Sequence, residues 1–577
     1  MKIYIHSLLF LCLLGVLASC EDFLDRVPLD RITDKGMQFS KGEMELYCNT
    51  YYTLMPGFES IIWADNSSDN LISGDYNYNG LLSGTAVVPA SGGGWSWSGV
   101  RSVNYFLNNY QVTKESWSDT KQYVGEILFW RAWYYYSLLK QFGDLPWYDK
   151  SLEPSSEELY APRLSRSVIA DSIIQDLTRA AEYLPTIDKA EPLRLHKDAA
   201  LTFLSRVALY EGAWEKYHAG TAFGVEGSDY NRFFRKAKEA ALEIMNSGRY
   251  DIASGTGDDF AYWDLFRQLN LTGNNEVILW RKYDFSQQLT HEGQNRILFD
   301  GVNTGVSRSL VDSYLCIDGK PTSGNSNYQG DNSVENVIKN RDPRLKQSIF
   351  VPGHPRIIRS NDTVFFSLPF INMSGFLRNT TGYQQYKHAN PVVEPQGAGA
   401  GSPGATTAAI IFRYAEVLLN YAEAAAELGE CTQADLDKSI NLLRDKVSMP
   451  HMTVNVGFTD PKWDFPGLSP LLNEIRRERR VELAFEGFRF DDLMRWAATD
   501  VIKRKQLGAK YAQFEGKPFE PALSNLYVSS DGYLDPWQNT PANEGWNFDP
   551  AKNFLMPLPT NELVINTNLK QNPGYDN

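Results

Sequence analysis

The sequence predicts a mainly α protein, a scaffold of paired helices interrupted by one irregular, loop-rich subdomain. Three observations carry this expectation. Apolar residues recur at helical spacing between residues 100 and 248 and again between 410 and 497. Short turn-forming links join the periodic stretches, as helix pairs require. Residues 250–408 lack that period and are rich in Gly, Asn, Ser and aromatic rings.

The elements follow in chain order. Lys2 gives a weakly positive start, and Leu8 to Val16 form an apolar core too short to cross a bilayer as a helix. Leu17-Ala18-Ser19-Cys20 follows and looks like a bacterial lipobox. Residues 1–19 are therefore expected to be a signal peptide and Cys20 the lipid-carrying mature N-terminus, since two or more acyl chains anchor firmly where one is marginal. Residues 20–40 read as a lipidated tether. A helix is expected at 41–55, with Met44, Tyr47, Cys48 and Tyr51 on one side. Residues 57–99 combine Gly, Ser, Asn and Asp with Trp63, Trp95 and Trp97, which is loop chemistry carrying large rings. Helices return at 100–110 and 120–142; Gly143 and Pro146 close the second, and its aromatic run Trp133 to Tyr136 argues burial among other helices. Further helices are expected at 167–184, 196–217 and 232–247, the last stopped by Gly248. Asn275 to Tyr283 reads as a strand or short buried segment, and 396–408 as a low-complexity loop.

The stretch from Ile410 to Trp496 organises the C-terminal half. Glu416, Asn420, Glu423 and Glu427 recur at helical spacing as one polar stripe, and Ile411, Ala415, Leu418, Ala422 and Ala425 form the opposite apolar face. Gly429 then ends this helix. Ser469 is a plausible N-cap before Pro470 for a second helix that runs towards Gly487, and Asp491 and Asp492 suit the start of a third.

FRYAEVLLNYAEAAAELG followed by EIRRERRVELAFEGFRFDDLMRW resembles the SusD/RagB family, nutrient-binding outer-membrane lipoproteins of Bacteroidetes that work beside a TonB-dependent transporter. The Arg-Ala-aromatic helix ending in Phe142-Gly143-Asp144 and the closing Gln571-Asn572-Pro573-Gly574-Tyr575 resemble the same family, as do the acidic Glu21 and Asp22 after the lipid cysteine. The resemblance implies a tetratricopeptide-like helical-pair scaffold (SusD-like), with an N-terminal region at 41–250 and a C-terminal region at 251–577 holding the loop-rich subdomain (251–408) and helices (410–497). It further implies a lipid-anchored protein of the outer membrane, facing the cell exterior, that captures glycan and delivers it to a SusC-like transporter. Two alternatives stay open: the same fold binding peptides or another nutrient, and a surface glycoside hydrolase. Arg479, Arg480, Glu482 and Glu486 are expected to form an ion-pair network that locks helices together.

Composition and motifs narrow the classes. The chain has 577 residues with a net charge of −14 and no long basic run, so nucleic acid is not an expected partner. No phosphate loop, H-E-x-x-H or G-x-S-x-G motif occurs, no Cys/His spacing suits a metal, and no cofactor is expected. The protein is expected not to be an enzyme; His196, His291 and His451 are scattered singles, and the doublets Asp258-Asp259 and Asp491-Asp492 are weak candidates for catalytic pairs. Cys48, Cys316 and Cys431 are expected to be unpaired.

A sugar ring offers C–H faces that stack on flat aromatic rings and hydroxyls that need polar partners. Residues 63 to 101 offer that mixture: Trp63, Asp65, Asn70, Asp75, Tyr76, Tyr78, Trp95, Trp97 and Arg101. Glycine neighbours tilt Trp95 and Trp97 towards exposure. In SusD-like glycan binders this early loop precedes a helix with a pattern like Asn104 to Asn108 and supplies binding aromatics. Trp263 and Trp280 with Arg281 form a second, weaker candidate.

Overall fold

The structure, a computed structural model, describes residues 39–252, 260–299, 301–392, 404–517 and 526–575. Cys20, the expected signal peptide at residues 1–19 and the Asp258-Asp259 doublet lie outside the described residues.

Among the described residues, six helices of nine residues or more make the N-terminal scaffold: α1 Lys41–Asn49, α2 Ser98–Asn109, α3 Trp117–Phe142, α4 Arg166–Tyr183, α5 Lys197–Tyr217 and α6 Asn231–Asn246. Ser40 starts α1 with a capping box to Glu43. The helix expected at 41–55 divides here, because beyond Asn49 the chain tightens into a 3₁₀ turn, Thr50–Leu54. The hydroxyls of Thr50 and Thr53 bond back to the carbonyls of Tyr47 and Thr50 at 2.7 and 2.8 Å and compete for the backbone there. Gly143 closes α3 at φ 72°, a conformation that favours glycine. Consecutive helices pack as pairs, α3 on α4, α4 on α5 and α5 on α6. Tyr135 and Tyr136 of the aromatic run are buried, while Trp133 and Tyr134 are half-buried. Trp133 and Tyr136 close on Phe203 of α5 at ring distances of 5.0 and 5.4 Å.

The chain between α6 and residue 409 carries only short helices among the described residues. It also carries strand β1 (Val277–Arg281) and an exposed hairpin of β2 (Pro355–Arg359) and β3 (Asp362–Phe365). β1 pairs antiparallel with β4 (Ala409–Arg413), which feeds directly into α7 (Tyr414–Glu427). α8 (Pro470–Glu482) is N-capped by Ser469, and α9 (Arg489–Arg495) follows it. α7 packs on α6 and α8, which joins the two helical halves around one hydrophobic core.

The polar stripe of α7 is buried rather than solvated. Glu416 pairs with Arg206 at 2.6 Å, Glu423 with Arg495 at 2.5 Å and Glu427 with Lys216 at 2.7 Å, while Asn420 accepts from Arg479 at 2.9 Å. On α8 and just beyond it, Arg479 holds Asp492 at 2.9 Å, Glu482 holds Arg344 and Arg413, and Glu486 holds Arg413 and Lys387. Each of these charges has a partner, which is what makes their burial tolerable. The arginine–glutamate stretch is therefore the lock between helices. Asp491 pairs with Lys140 and Asp492 with Arg479 and Arg495, so this doublet belongs to the same lock. His196 and His291 are buried against backbone carbonyls, and Cys48, Cys316 and Cys431 are free thiols.

Candidate functional site

The N-terminus of α2 builds one wall of a cavity of about 450 Å3. Gly92, Gly93 and Gly94 turn the chain ahead of it with positive φ angles, and at Gly94 a Cβ would crowd the Gln141 side-chain amide. This tight turn tucks Trp95 inward. Its ring meets Phe142 edge-on at 5.0 Å and Trp97 at 5.2 Å, and it is only 7% exposed. The glycines thus supply the left-handed backbone of the turn, not the exposure expected for Trp95. Trp97 is half-buried, with its ring 5.1 Å from that of Tyr148.

The opposite wall is segment 146–154, held by α2. Asn104 Nδ2 donates to the carbonyls of Tyr148 (2.7 Å) and Lys150 (3.3 Å), and Asn108 Oδ1 accepts from Ser151 N at 2.9 Å. Arg131 orients Asn104 by donating to its Oδ1 at 3.1 Å, and is itself paired with buried Asp176 at 2.6 Å. The Tyr135 hydroxyl accepts from Tyr148 N at 2.7 Å. The Asn-x-x-x-Asn pattern is thus a pair of backbone anchors beneath the site. The third wall comes from residues 159–160 and from α10 (Thr560–Ile565) with the chain after it. Asn566 Nδ2 donates to the carbonyls of Leu159 and Ala161, and Asn568 Nδ2 to that of Tyr160. Exposed Tyr160, Arg101 and Lys150 and the carboxylates of Glu153 and Glu562 stand around the opening. Flat rings on fixed backbone beside charged donors and acceptors suit a ligand with apolar faces and many hydroxyls.

The structure brings Trp95, Trp97 and Arg101 together and scatters the other candidates. Asp65 and Asn70 are buried at 1% exposure. Asp65 Oδ2 accepts from Asn70 Nδ2 at 2.9 Å and from Phe485 N at 2.8 Å, and Asn70 Oδ1 accepts from Arg480. Asn70 ties the loop to α8 and Asp65 ties it to the chain just after that helix, and neither has surface to offer a ligand, so the expectation that they bind one is corrected. Burial pushes the Asp65 carboxyl up to about 6. Trp263 and Trp280 are likewise corrected. Trp263 stacks on Tyr386 at 4.8 Å and donates to its carbonyl, and Trp280 lies in β1 within a core cluster. Trp63 is half-buried against the main core; Tyr76 is half-buried, with its carbonyl accepting from Trp546; Tyr78 is exposed, outside this cavity. Tyr148, Tyr160 and Glu562 were not singled out in the sequence. The phrase Asp144-Leu145-Pro146-Trp147-Tyr148, which must leave α3 extended, is the one signal that marked part of this wall.

Comparison with known proteins places the chain. The SusD family matches residues 275–575, more than half of the sequence. The protein belongs to the SusD family. A second family, described as starch-binding associating with outer membrane, matches residues 91–209 and so includes Trp95, Trp97, Arg101, Asn104 and Tyr148. Among similar proteins is a SusD-like protein P2 of Formosa agariphila, 25% identical over 82% of this chain and 78% of that protein. A SusD-like carbohydrate-binding protein of Bacteroides fragilis superposes with a TM-score of 0.70 at 24% identity, covering 92% of this chain and 99% of the other. A laminarin-binding SusD-like protein superposes at 0.56 with 18% identity, covering 93% of this chain and 100% of the other. The fold is accordingly the SusD-like, tetratricopeptide-like helical scaffold. These structural neighbours are named for carbohydrate binding, not for catalysis. No helix among the described residues is long and apolar enough to cross a membrane.

Proposed function

We propose that this SusD-family protein is a surface lipoprotein that captures an oligosaccharide in the Trp97–Tyr148–Tyr160 groove and delivers it to a TonB-dependent, SusC-like transporter of the outer membrane. The observation that carries the glycan reading is the groove itself. Rings stand over fixed backbone in the segment that matches the starch-binding, outer-membrane-associating family. Trp97 and Tyr148 supply stacking faces, and Arg101, Lys150, Glu153 and Glu562 supply polar partners for hydroxyls. The lipid anchor at Cys20 and the transporter partner rest on the lipobox and the family, and the exterior orientation on Glu21 and Asp22. No hydrolysis is assigned. A glycan array probed with the full chain, repeated with Trp97→Ala and Tyr148→Ala, tests the reading. Saturable binding of a neutral oligosaccharide that both variants lose supports it. Binding of peptides alone, or glycan binding unchanged in both variants, overturns it.

A further inference from the structure

A smaller cavity, of about 200 Å3, lies between the two helical halves. α3 and α5 wall it on one side, and β4, α7 and the chain from Glu486 to Asp492 on the other; it opens to solvent beside exposed Ser60. None of its lining residues lines the aromatic groove. Trp133 of α3 and Phe488 are half-buried and keep ring surface in its wall. The Trp133 ring is braced by Phe203 at 5.0 Å, and that of Phe488 by the Arg206 guanidinium at 4.8 Å.

The charges around this cavity are already matched. Lys140 holds Asp491 at 2.7 Å, Arg206 holds Glu416 at 2.6 Å and Arg413 holds Glu486 at 2.6 Å, while Arg479 and Arg495 hold Asp492. Each lining cation has its carboxylate, so the cavity favours neither an anion nor a cation. Two hydroxyls are not matched. Tyr136 and Tyr210 line the cavity at 6% and 3% exposure with their rings 5.6 Å apart. Neither phenol oxygen has a hydrogen-bond partner among the described residues. Burial, and after it the nearby Asp491 carboxylate, pushes both phenols above their ordinary range, so both keep the proton that they can donate. Asp491 gives Oδ2 to Lys140 and has Oδ1 left to accept. A buried hydroxyl without a partner is costly, and the hydroxyls of a ligand would relieve it.

We propose that this cavity is a second binding site, separate from the groove, which takes one neutral sugar ring between the Tyr136 and Tyr210 hydroxyls and Asp491. The hydroxyls of such a ring both donate and accept, as two phenols and a carboxylate oxygen require, and its C–H faces suit Trp133 and Phe488. The volume is less than half the 450 Å3 of the groove, which limits the occupant to a single ring rather than a chain. Because both helical halves supply the wall, an occupant ties α3 and α5 to the corner between α8 and α9 and stabilises the fold by mass action.

The test is ligand-detected NMR titration with glucose, galactose, mannose and xylose, and with glucuronate and glucosamine as charged controls. The full chain carrying Trp97→Ala/Tyr148→Ala is used, so that the groove lacks its rings. At least one neutral sugar is expected to bind saturably, and both charged controls at least about tenfold more weakly. Adding Tyr136→Phe/Tyr210→Phe is expected to weaken that binding at least about tenfold. These two changes remove only hydroxyls that bond no protein group, so Tm without sugar is expected to stay the same or rise. No saturable binding of any neutral sugar, affinity unchanged by the two phenylalanines, or a charged control that binds as tightly as the neutral sugars overturns the proposal. A clear fall in Tm on adding the phenylalanines also overturns it, because the hydroxyls would then be held by the fold.

Discussion

Replacing Glu423 by Gln removes one charge from the centre of the helix lock while keeping the side chain's shape. Glu423 is fully buried. Its two oxygens accept from Arg495 Nη1 at 2.5 Å and Nη2 at 2.7 Å, and Trp496 Nε1 donates at 2.9 Å. Burial alone would raise its pKa, but Arg495, helped by Arg479 and Arg476, outweighs burial and holds the carboxyl below its ordinary range. In Glu423→Gln, Asp492 is the carboxylate left near Arg495 and Arg479, at 2.8 and 2.9 Å. Two buried guanidiniums then share one anion. Breaking a buried pair from one side costs about 3–5 kcal/mol, and because the amide oxygen still accepts one bond the lower end, about 3 kcal/mol, applies here. For a chain of this length that is a fall of about 3 °C in Tm. The same group sets a pH dependence. A carboxyl whose folded pKa is depressed gives stability that is complete above its unfolded pKa, near 4.3, and is lost as pH falls through the folded value. The parent should therefore lose stability more steeply than the variant below about pH 4.3. Calorimetric melting at pH 7 and across pH 3 to 5 measures both. A variant that melts with the parent at pH 7, or one that keeps the parent's acid slope, would refute the assignment of Glu423 as a charged member of the lock.

Three further outcomes are expected. Trp97→Ala should weaken binding of the cognate oligosaccharide by about 2 kcal/mol, roughly 30-fold, with Tm little changed, as followed by tryptophan fluorescence titration; undiminished affinity removes Trp97 from the platform. Asp65→Asn should flatten part of the pH profile between about pH 4 and 6: a raised carboxyl binds its proton more tightly in the folded state, so its contribution to stability falls as pH rises through that window. A profile identical to the parent's would show that Asp65 does not titrate there. Cys20→Ala should leave the protein unprocessed or released from the membrane fraction, and retention at parental levels with normal processing would exclude lipidation at that residue.

Periodicity and punctuation determined the helices. The α3 and α5 cylinders, their stops at Gly143 and near Tyr217, and the Ser469–Pro470 start of α8 follow from local spacing, capping and backbone preference, all of which act within a few residues. The ion-pair role of Arg479 to Glu486 was legible because so many alternating charges on buried helix faces need partners. Which partners they take was not legible. Arg480 meets Asp69, and Glu482 meets Arg344 and Arg413, across hundreds or dozens of residues, and only the folded chain sets those distances. The same reason governs the groove. Sequence grouped Trp95, Trp97 and Arg101 with Asp65 and Asn70 because they are neighbours along the chain. Tertiary packing instead turned Asp65 and Asn70 inward against α8 and the chain just after it, and brought Tyr148, Tyr160 and Glu562 beside Trp97. Residue type alone cannot tell an exposed ring from a core ring. Trp263 and Trp280 look like binding aromatics in composition, yet the apolar area each removes from water places both inside.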